Sequence, residues 1–182
     1  MNLKVVTGNP NKAKEVAAYF GDSVTVEHLK LDLPEYRGDD VGEIARGKAK
    51  AAYDAVGEPL IVDDTGFYIR TLNGFPGAYA AFVLDTIGMD GVLRLMEGKT
   101  DRSAYFETAI AYADDKGIFV FKGRIEGAIT TEPRGDEGFG YDPIFCVGEK
   151  TLAEISLAEK SAVSHRGKAL GEFKKWFVEN RL

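Results

Sequence analysis

The sequence has one cysteine among 182 residues and no apolar run long enough to cross a membrane. The N-terminus also lacks the charged, apolar and small-residue regions of a signal peptide. Cys146 has no second cysteine with which to form an internal disulfide, and its apolar neighbours predict a buried side chain. These absences predict a cytoplasmic protein that does not interact with membranes.

An excess of basic residues is also absent. Lysine and arginine total 23 against 29 aspartate and glutamate residues, which gives a net charge of −6. This balance argues against a broad nucleic-acid-binding surface, although a local basic pocket for one small polyanion stays possible. The P-loop pattern of Gly, four residues and Gly-Lys-Ser/Thr is missing too.

The residues that are present predict one globular domain over residues 1–182. Apolar residues make up 45% of the chain, which is enough for a packed core, and there is no internal repeat or linker. Helices are predicted at 10–20, 41–56, within 78–96 and from Ser164; strands are predicted up to Val6, at 24–33 and 60–62, and as a hairpin of 103–113 with 118–129. This order predicts an α/β protein with a mixed sheet.

The stretch VVTGNPNK, residues 5–12, predicts a strand end, a tight turn and a helix start. Asn9 suits the N-cap, and Pro10 suits the first helical position, where its missing N–H costs nothing. Free backbone N–H groups, the helix dipole and Lys12 would converge on one spot, which suits a phosphate. The alternative is an ordinary capped helix with a solvated lysine.

The stretch LIVDDTGF, residues 60–67, places two carboxylates where a buried strand is predicted to end. Asp63 and Asp64 would project to opposite sides of the strand. One could face a cleft, while the other has a structural role. An aspartate-nucleophile phosphatase is excluded, because it needs two aspartates separated by one residue. Glu35 and Asp64 could together hold Mg²⁺, although their spacing does not show that they meet. The alternative for Asp63 to Gly66 is a simple turn.

Two further stretches could bind a ligand. In EGFGYDPIF, residues 137–145, Phe139 and Tyr141 flank a glycine and could stack on a flat ring, or they could anchor the core. In EKSAVSHRGKA, residues 159–169, His165 and Arg166 put positive charge at a helix start. An anionic or carbonyl-rich ligand would relieve that charge, and a solvated surface is the alternative.

Taken together and in this order, TGNPNK, VDDTG, FGYDP and SHR resemble the motifs of the inosine triphosphate pyrophosphatases, the Ham1-like family, over nearly the full length. The resemblance implies a two-lobed α/β protein with a long, mixed central sheet flanked by helices and a cleft between the lobes. It also implies a homodimer that uses Mg²⁺. The implied reaction hydrolyses ITP, dITP and XTP to the monophosphate and pyrophosphate, and so removes deaminated purines from the nucleotide pool.

The resemblance also implies roles for individual residues. Asp64 would be the general base and would hold Mg²⁺ with Glu35, and Thr65 would contact the substrate. The residues implied to bind the phosphates are Thr7, Gly8, Asn9, Pro10, Asn11, Lys12, Lys48 and Lys160. The residues implied to hold and read the base are Phe139, Gly140, Tyr141, Asp142, His165 and Arg166. Some relatives have tryptophan where Tyr141 stands.

Two other functions use the same features. A purine-nucleotide sensor without hydrolytic activity would keep the lysines and aromatic residues, but Asp64 and Glu35 count against it. A single-stranded nucleic-acid-binding module would use the same groups, and the acidic balance counts against it. Magnesium-dependent release of pyrophosphate would distinguish an enzyme from a sensor.

Overall fold

The structure is a computed structural model that describes residues 2–34 and 36–181. The strands are β1 (Asn2–Val6), β2 (Thr25–Leu29), β3 (Leu60–Ile69), β4 (Pro76–Gly77), β5 (Ser103–Asp114), β6 (Gly117–Ile129), β7 (Phe145–Val147) and β8 (Lys150–Thr151). The helices are α1 (Pro10–Phe20), α2 (Val41–Val56), α3 (Ala80–Thr86), α4 (Gly88–Leu95), α5 (Leu157–Val163) and α6 (His165–Arg181).

The described strands form one mixed sheet in the order β2-β1-β3-β5-β6-β7-β8, with β4 paired to β3. β1 runs parallel to both of its neighbours, and the remaining pairs are antiparallel. Helices cover both faces of this sheet. The prediction of an α/β fold with a long, mixed sheet is therefore confirmed, whereas the extent of one domain over residues 1–182 stays a prediction.

β3 is much longer than predicted, and the alternative of a simple turn at Asp63 to Gly66 is wrong. Its pairing with β1 stops at Val62, because β1 itself ends at Val6. Its other edge stays paired with β5 as far as Ile69, so the backbone continues through Asp63-Asp64-Thr65-Gly66 as a strand. The two aspartates thus lie just beyond the end of the parallel part of the sheet, where α/β folds place ligands.

The two faces of the sheet are covered by different helices. α1 and α6 pack on one face through side chains such as Val16, Leu170 and Phe173. α2 packs on the other face through Ala45, Ala49 and Ala52 (small side chains that allow close approach). α3 and α4 cover a third cluster, around the second half of β3 and the adjoining part of β5.

The helix boundaries largely agree with the sequence. The Asn9 side chain accepts from the Asn11 amide and Pro10 is the first residue of α1, as predicted. α6 begins directly after Ser164, whose hydroxyl accepts from the Gly167 amide. β2 ends at Leu29 rather than residue 33, because β1 offers it only five partners. Within the described ranges, no helix is long and apolar enough to cross a membrane.

α5 was missed from the sequence, although a local signal for it exists. Ser156 and Glu159 form a reciprocal capping box, in which each side chain accepts from the backbone amide of the other. A Ser-x-x-Glu pattern before a helix is a recognised start signal. α5 matters for the site because it carries Lys160.

Candidate active site

A cleft of about 540 Å³ opens where β1 ends and α1 begins. Its floor is the exposed part of β3, one wall is formed by residues 31–34 and 36–38 with α2, and another wall is the start of α3. The predicted site residues that line it are Thr7, Gly8, Asn9, Lys12, Lys48, Asp64 and Thr65. Glu35, the predicted partner of Asp64, lies outside the described residues.

A further wall of the cleft is the turn from β1 into α1. The Thr7 hydroxyl accepts from the Asn9 amide, and the Asn9 side chain accepts from the Asn11 amide. These short-range bonds fix the turn and leave the start of α1 directed at the cleft. An 11-residue helix whose N-terminus meets a cleft attracts anions.

Asp64 faces this cleft on the α2 side of β3. Its Oδ1 lies 2.6 Å from the Lys48 Nζ, and the residue is 8% exposed. Burial raises the pKa of Asp64 above its ordinary value, and the ammonium groups of Lys12 and Lys48 only partly oppose this effect. A carboxylate with a raised pKa is a better proton acceptor than an ordinary surface carboxylate.

Asp63 projects to the opposite face, as the alternation of the strand predicts. Its Oδ2 accepts from Arg166 Nε at 2.5 Å, and its Oδ1 forms an ion pair with Lys12 at the same distance. Burial opposes ionisation here as well, but Arg166 and Lys12 outweigh it and hold the pKa of Asp63 well below its ordinary value. Two neighbouring aspartates therefore have opposite pKa shifts.

Asp63 belongs to a chain of six alternating charges that we name the buried ion chain. Its members, in order of contact, are Lys12, Asp63, Arg166, Glu15, Lys160 and Asp142. Lys160 Nζ lies 2.5 Å from Glu15 and 2.6 Å from Asp142, and Arg166 also donates to Glu15. Three cations match three anions, so the chain carries no net charge.

Gly123 of β6 allows the start of α6, and with it Arg166, to lie close against the sheet. A Cβ on Gly123 of β6 would lie 2.2 Å from the His165 carbonyl oxygen and 2.4 Å from the Ala169 amide. Only a glycine lets α6 begin in contact with the sheet at this point. From there, Arg166 reaches across β3 to Asp63 and donates to the Thr65 hydroxyl at 3.2 Å.

His165 lies beside the buried ion chain, with its ring stacked on Phe106 at a centroid distance of 4.8 Å. It is 4% exposed, and its Nδ1 has no hydrogen-bond partner among the described residues. Burial lowers the pKa of His165 well below its ordinary value, and the charges of Arg166 and Lys160 lower it further. The imidazole is therefore neutral at physiological pH.

The two aromatic residues of the FGYDP stretch differ in environment. Phe139 is half-buried, and the Lys160 ammonium lies 4.7 Å from its ring centroid. Tyr141 is 4% exposed, packs on Phe67 and donates its hydroxyl to the Ala80 carbonyl. In this arrangement Tyr141 anchors the core, so its contact with a base stays a prediction that requires the ring to move.

Asp142 is held between two donors. Its Oδ2 accepts from Lys160 and from the Phe139 amide at 2.9 Å. Burial raises the pKa of Asp142, and Lys160 partly opposes that shift. Asp142, Lys160, His165 and Arg166 thus form a buried group beside Phe139, outside the lining of the cleft. The predicted substrate contacts of all these residues stay predictions.

Three residues near the site were not singled out from the sequence. Glu15 links two cations, Thr108 shares a 2.6 Å hydrogen bond with Thr65, and Arg37 lines the cleft. Glu15 gave no signal, since neighbouring helix residues lie about 100° apart and its place beside Val16 does not put it on the apolar face. Thr108 and Arg37 gave no signal distinct from their strand and loop.

Across residues 2–34 and 36–181, no three His, Cys, Asp or Glu side chains cluster as a ready-made metal site. Mg²⁺ does not require one, because it is commonly held by one or two carboxylates together with substrate phosphates and water. Asp64 has the donor chemistry and the position for such a contact, and it already attracts the cationic head of Lys48.

Comparison with known proteins agrees with this geometry. The sequence matches the model of the Ham1 family over residues 3–176. It is 44% identical to a dITP/XTP pyrophosphatase of Thermococcus kodakarensis, with 99% of each chain covered. It is 46% identical to one of Methanopyrus kandleri, covering 99% of this chain and 98% of the relative.

Solved structures give the same result. A HAM1 protein from Coxiella burnetii superposes with a TM-score of 0.85 at 32% identity, covering 98% of this chain and 99% of the other. The Ham1 protein of Staphylococcus aureus superposes with a TM-score of 0.83 at 30% identity over the full length of both chains.

Proposed function

The chain belongs to the Ham1 family, and from that premise we propose that it hydrolyses deaminated purine nucleoside triphosphates. The substrates would be ITP, dITP and XTP, and the products the monophosphate and pyrophosphate. The observation that carries this proposal is Asp64: a carboxylate with a raised pKa, in the same cleft as a helix N-terminus and two lysines.

The phosphates would bind where positive potential converges. The start of α1 offers backbone N–H groups, and Lys12 and Lys48 both line the cleft. Both lysines are paired with aspartates in the structure, at 2.5 and 2.6 Å, so their heads are held at the floor of the cleft before a substrate arrives. A triphosphate would share them with those carboxylates.

Asp64 would act as the general base. A water molecule beside it would attack the α-phosphorus, forming a new P–O bond as the bond to the bridging oxygen of the β-phosphate breaks. The water proton would pass to Asp64, and pyrophosphate would leave. Lys48 keeps the carboxylate oriented through its 2.6 Å contact.

We also propose that Mg²⁺ is held by Asp64 together with Glu35. When bound, it would neutralise charge on the phosphates and make the α-phosphorus more open to attack. The support is the donor chemistry of Asp64 and its place in the cleft. A homodimer and a cytoplasmic location likewise stay predictions from the sequence, and light scattering of the purified protein tests the first.

The base would be read beside Phe139. Arg166 has five N–H donors and Lys160 has three. Arg166 donates three of its five N–H groups within the protein, to Asp63, Glu15 and Thr65. Lys160 donates two of its three, to Glu15 and Asp142. The remaining N–H donors suit the carbonyl oxygen at position six of inosine. The amino group of adenosine at that position is itself a donor and would not accept from them.

The test is an assay of pyrophosphate release from ITP, dITP, XTP, ATP and GTP, with and without Mg²⁺. Wild-type protein should prefer the first three, and Asp64→Asn should reduce turnover by about 10²–10⁴-fold, the usual contribution of a general base. Asp54→Asn is the matched control, since it also removes a lysine-paired carboxylate, but from the exposed face of α2. Binding without release would instead support a nucleotide sensor.

A further inference from the structure

Thr108 carries a buried hydroxyl for which the proposed reaction gives no role. It lies on β5 directly opposite Thr65 of β3 and is 0% exposed. The two hydroxyl oxygens lie 2.6 Å apart. Thr65 is partly exposed and lines the cleft, whereas Thr108 does not. Any effect of the Thr108 hydroxyl on a ligand in the cleft therefore passes through Thr65.

The surroundings of Thr108 favour one direction for this hydrogen bond. Across residues 2–34 and 36–181, Thr65 is the one hydrogen-bond partner of the Thr108 hydroxyl. If Thr108 accepted from Thr65, its own O–H would be buried without an acceptor. A buried donor without a partner is costly, and it is rarer in proteins than an acceptor with an unused lone pair. The arrangement therefore favours Thr108 as the donor and Thr65 as the acceptor.

Arg166 occupies the other acceptor position of the Thr65 hydroxyl. Its Nη2 donates to Thr65 Oγ1 at 3.2 Å, and a guanidinium group cannot accept in return. A hydroxyl has two lone pairs and one proton. With Thr108 and Arg166 both donating to it, the Thr65 hydroxyl can form a further hydrogen bond only as a donor.

We infer that Thr108 is a positioning residue for phosphate binding: by donating to Thr65, it commits the Thr65 hydroxyl to donate to a phosphate oxygen of the substrate. The inference rests on the proposed function and deepens it. Phosphate oxygens are strong acceptors, so they suit a hydroxyl that can only donate. Lys12 Nζ lies 3.4 Å from the carbonyl oxygen of Asp63, two residues before Thr65, so a cation of the proposed phosphate site reaches the same stretch of β3.

Thr108→Val tests this role, because it removes the hydroxyl with little change in shape. One lone pair of Thr65 would be free again, and its proton would no longer be committed to the cleft. We expect the dissociation constant of inorganic tripolyphosphate, which has no base, to rise about three- to tenfold in calorimetric titrations, the range for one neutral hydrogen bond. The KM for ITP should rise by the same factor, with a smaller change in kcat. Thr108→Ser keeps the hydroxyl and should bind like the wild-type protein.

Thr151→Val is the matched control. Thr151 is also 0% exposed, and its hydroxyl donates to the Arg134 carbonyl at 2.7 Å, outside the lining of the cleft. This variant should lower the melting temperature without changing tripolyphosphate binding or the KM for ITP. It separates the loss of a buried hydroxyl from the loss of a positioned one.

A double-mutant cycle separates positioning through Thr65 from a general effect on packing. Thr65→Val alone should weaken tripolyphosphate binding at least as much as Thr108→Val. Adding Thr108→Val to Thr65→Val should change the dissociation constant by less than twofold, because the hydroxyl through which Thr108 acts is already gone. Two single effects that multiply in full would overturn the inference.

Three other results would overturn it. Unchanged or tighter tripolyphosphate binding by Thr108→Val would show that Thr108 does not commit Thr65 to donate. Weaker ITP binding with unchanged tripolyphosphate binding would place the Thr65 contact on the nucleoside, and a Thr108→Ser protein as weak as Thr108→Val would exclude the hydroxyl. If Thr108→Val does not fold, Thr108→Cys decides, because its thiol is only a weak donor. Wild-type protein that binds tripolyphosphate but releases no pyrophosphate would instead refute the proposed function.

Discussion

Two chains of ion pairs lie on opposite faces of the same sheet. On the Asp63 face is the buried ion chain. On the Asp64 face is a second alternating chain that we name the exposed ion chain, whose members in order of contact are Arg70, Glu126, Arg124, Glu107, Lys122 and Asp40. Each chain has six members and no net charge, so the two differ chiefly in their surroundings.

Burial separates the two chains. Five members of the buried ion chain have side chains no more than 6% exposed, and Lys12 is 18% exposed. In the exposed ion chain the values are 40–55%, apart from 16% for Glu107. Water screens the second set and not the first, so equal charge patterns carry unequal energies. Burial, rather than the pattern of charges, therefore distinguishes the two chains.

The largest expected effect comes from breaking the middle of the buried ion chain. Asp63→Asn would leave Arg166 and Lys12 facing a neutral amide at a buried position. Removal of one partner from a buried pair costs about 3–5 kcal/mol of unfolding free energy. Chemical denaturation of wild-type and variant protein measures this loss. A loss below about 1 kcal/mol would mean that the two chains are energetically alike.

The sequence predicted the positions of the two aspartates better than their surroundings. Strand alternation put Asp63 and Asp64 on opposite sides, because side-chain direction in a strand is a local property. It did not predict β3 through Gly66, since that length is set by pairing with β5. The partners Gly66 and Glu107 are 41 residues apart in sequence, beyond the reach of local patterns. Local rules likewise gave the caps of α1 and α6.

The contents of the site were less predictable for the same reason. Lys12, Lys160 and Arg166 were recognised from motifs as groups that suit a nucleotide. Their partner Glu15 lies 145 residues from Lys160 and 151 from Arg166 in sequence, and no motif records that contact. The sequence left two roles for Tyr141, a contact with the base or packing in the core. Only the tertiary packing on Phe67 shows where its ring lies.

The second effect concerns the one end of the buried ion chain that lines the cleft. Lys12→Ala should weaken inhibition by tripolyphosphate tenfold or more, because a charge-assisted hydrogen bond contributes about 1.5–3 kcal/mol. Lys14→Ala is the matched control, since Lys14 lies on the same helix but is exposed and outside the cleft. Equal inhibition of the two variants would exclude Lys12 from the phosphate site.

The third effect is a pH dependence that only the buried side should show. Because the folded-state pKa of His165 is lowered, the unfolded chain takes up a proton below about pH 6.5 and the folded chain does not. The stabilisation is therefore present above pH 6.5 and is lost as the pH falls. The groups that set the shift are Arg166, Lys160, Lys12 and, in the opposite sense, Asp63.

The size of this loss in unfolding free energy follows from how far the pH falls below about 6.5. At 1.36 kcal/mol per pH unit, lowering the pH from 7.5 to 5.0 should remove up to about 2 kcal/mol of unfolding free energy. Other groups titrate in this range, so the measured quantity is the difference between wild-type protein and His165→Gln at each pH. If that difference is the same at both pH values, His165 is not held neutral by its surroundings.

The smallest effect is expected at the centre of the exposed ion chain. Glu107→Gln removes the carboxylate that meets Arg124 at 2.9 Å and Lys122 at 3.9 Å, yet both cations stay in contact with water. The loss of unfolding free energy should be under about 1 kcal/mol, as for surface pairs in general.

Raising the salt from 0.1 to 1 M shortens the screening length from about 10 to 3 Å and should abolish most of that loss. Asp63→Asn should keep most of its effect under both conditions, because Asp63 and its partner Arg166 have side chains no more than 2% exposed. A Glu107→Gln loss as large and as salt-independent as that of Asp63→Asn would show that pairing, rather than burial, sets the energy of both chains.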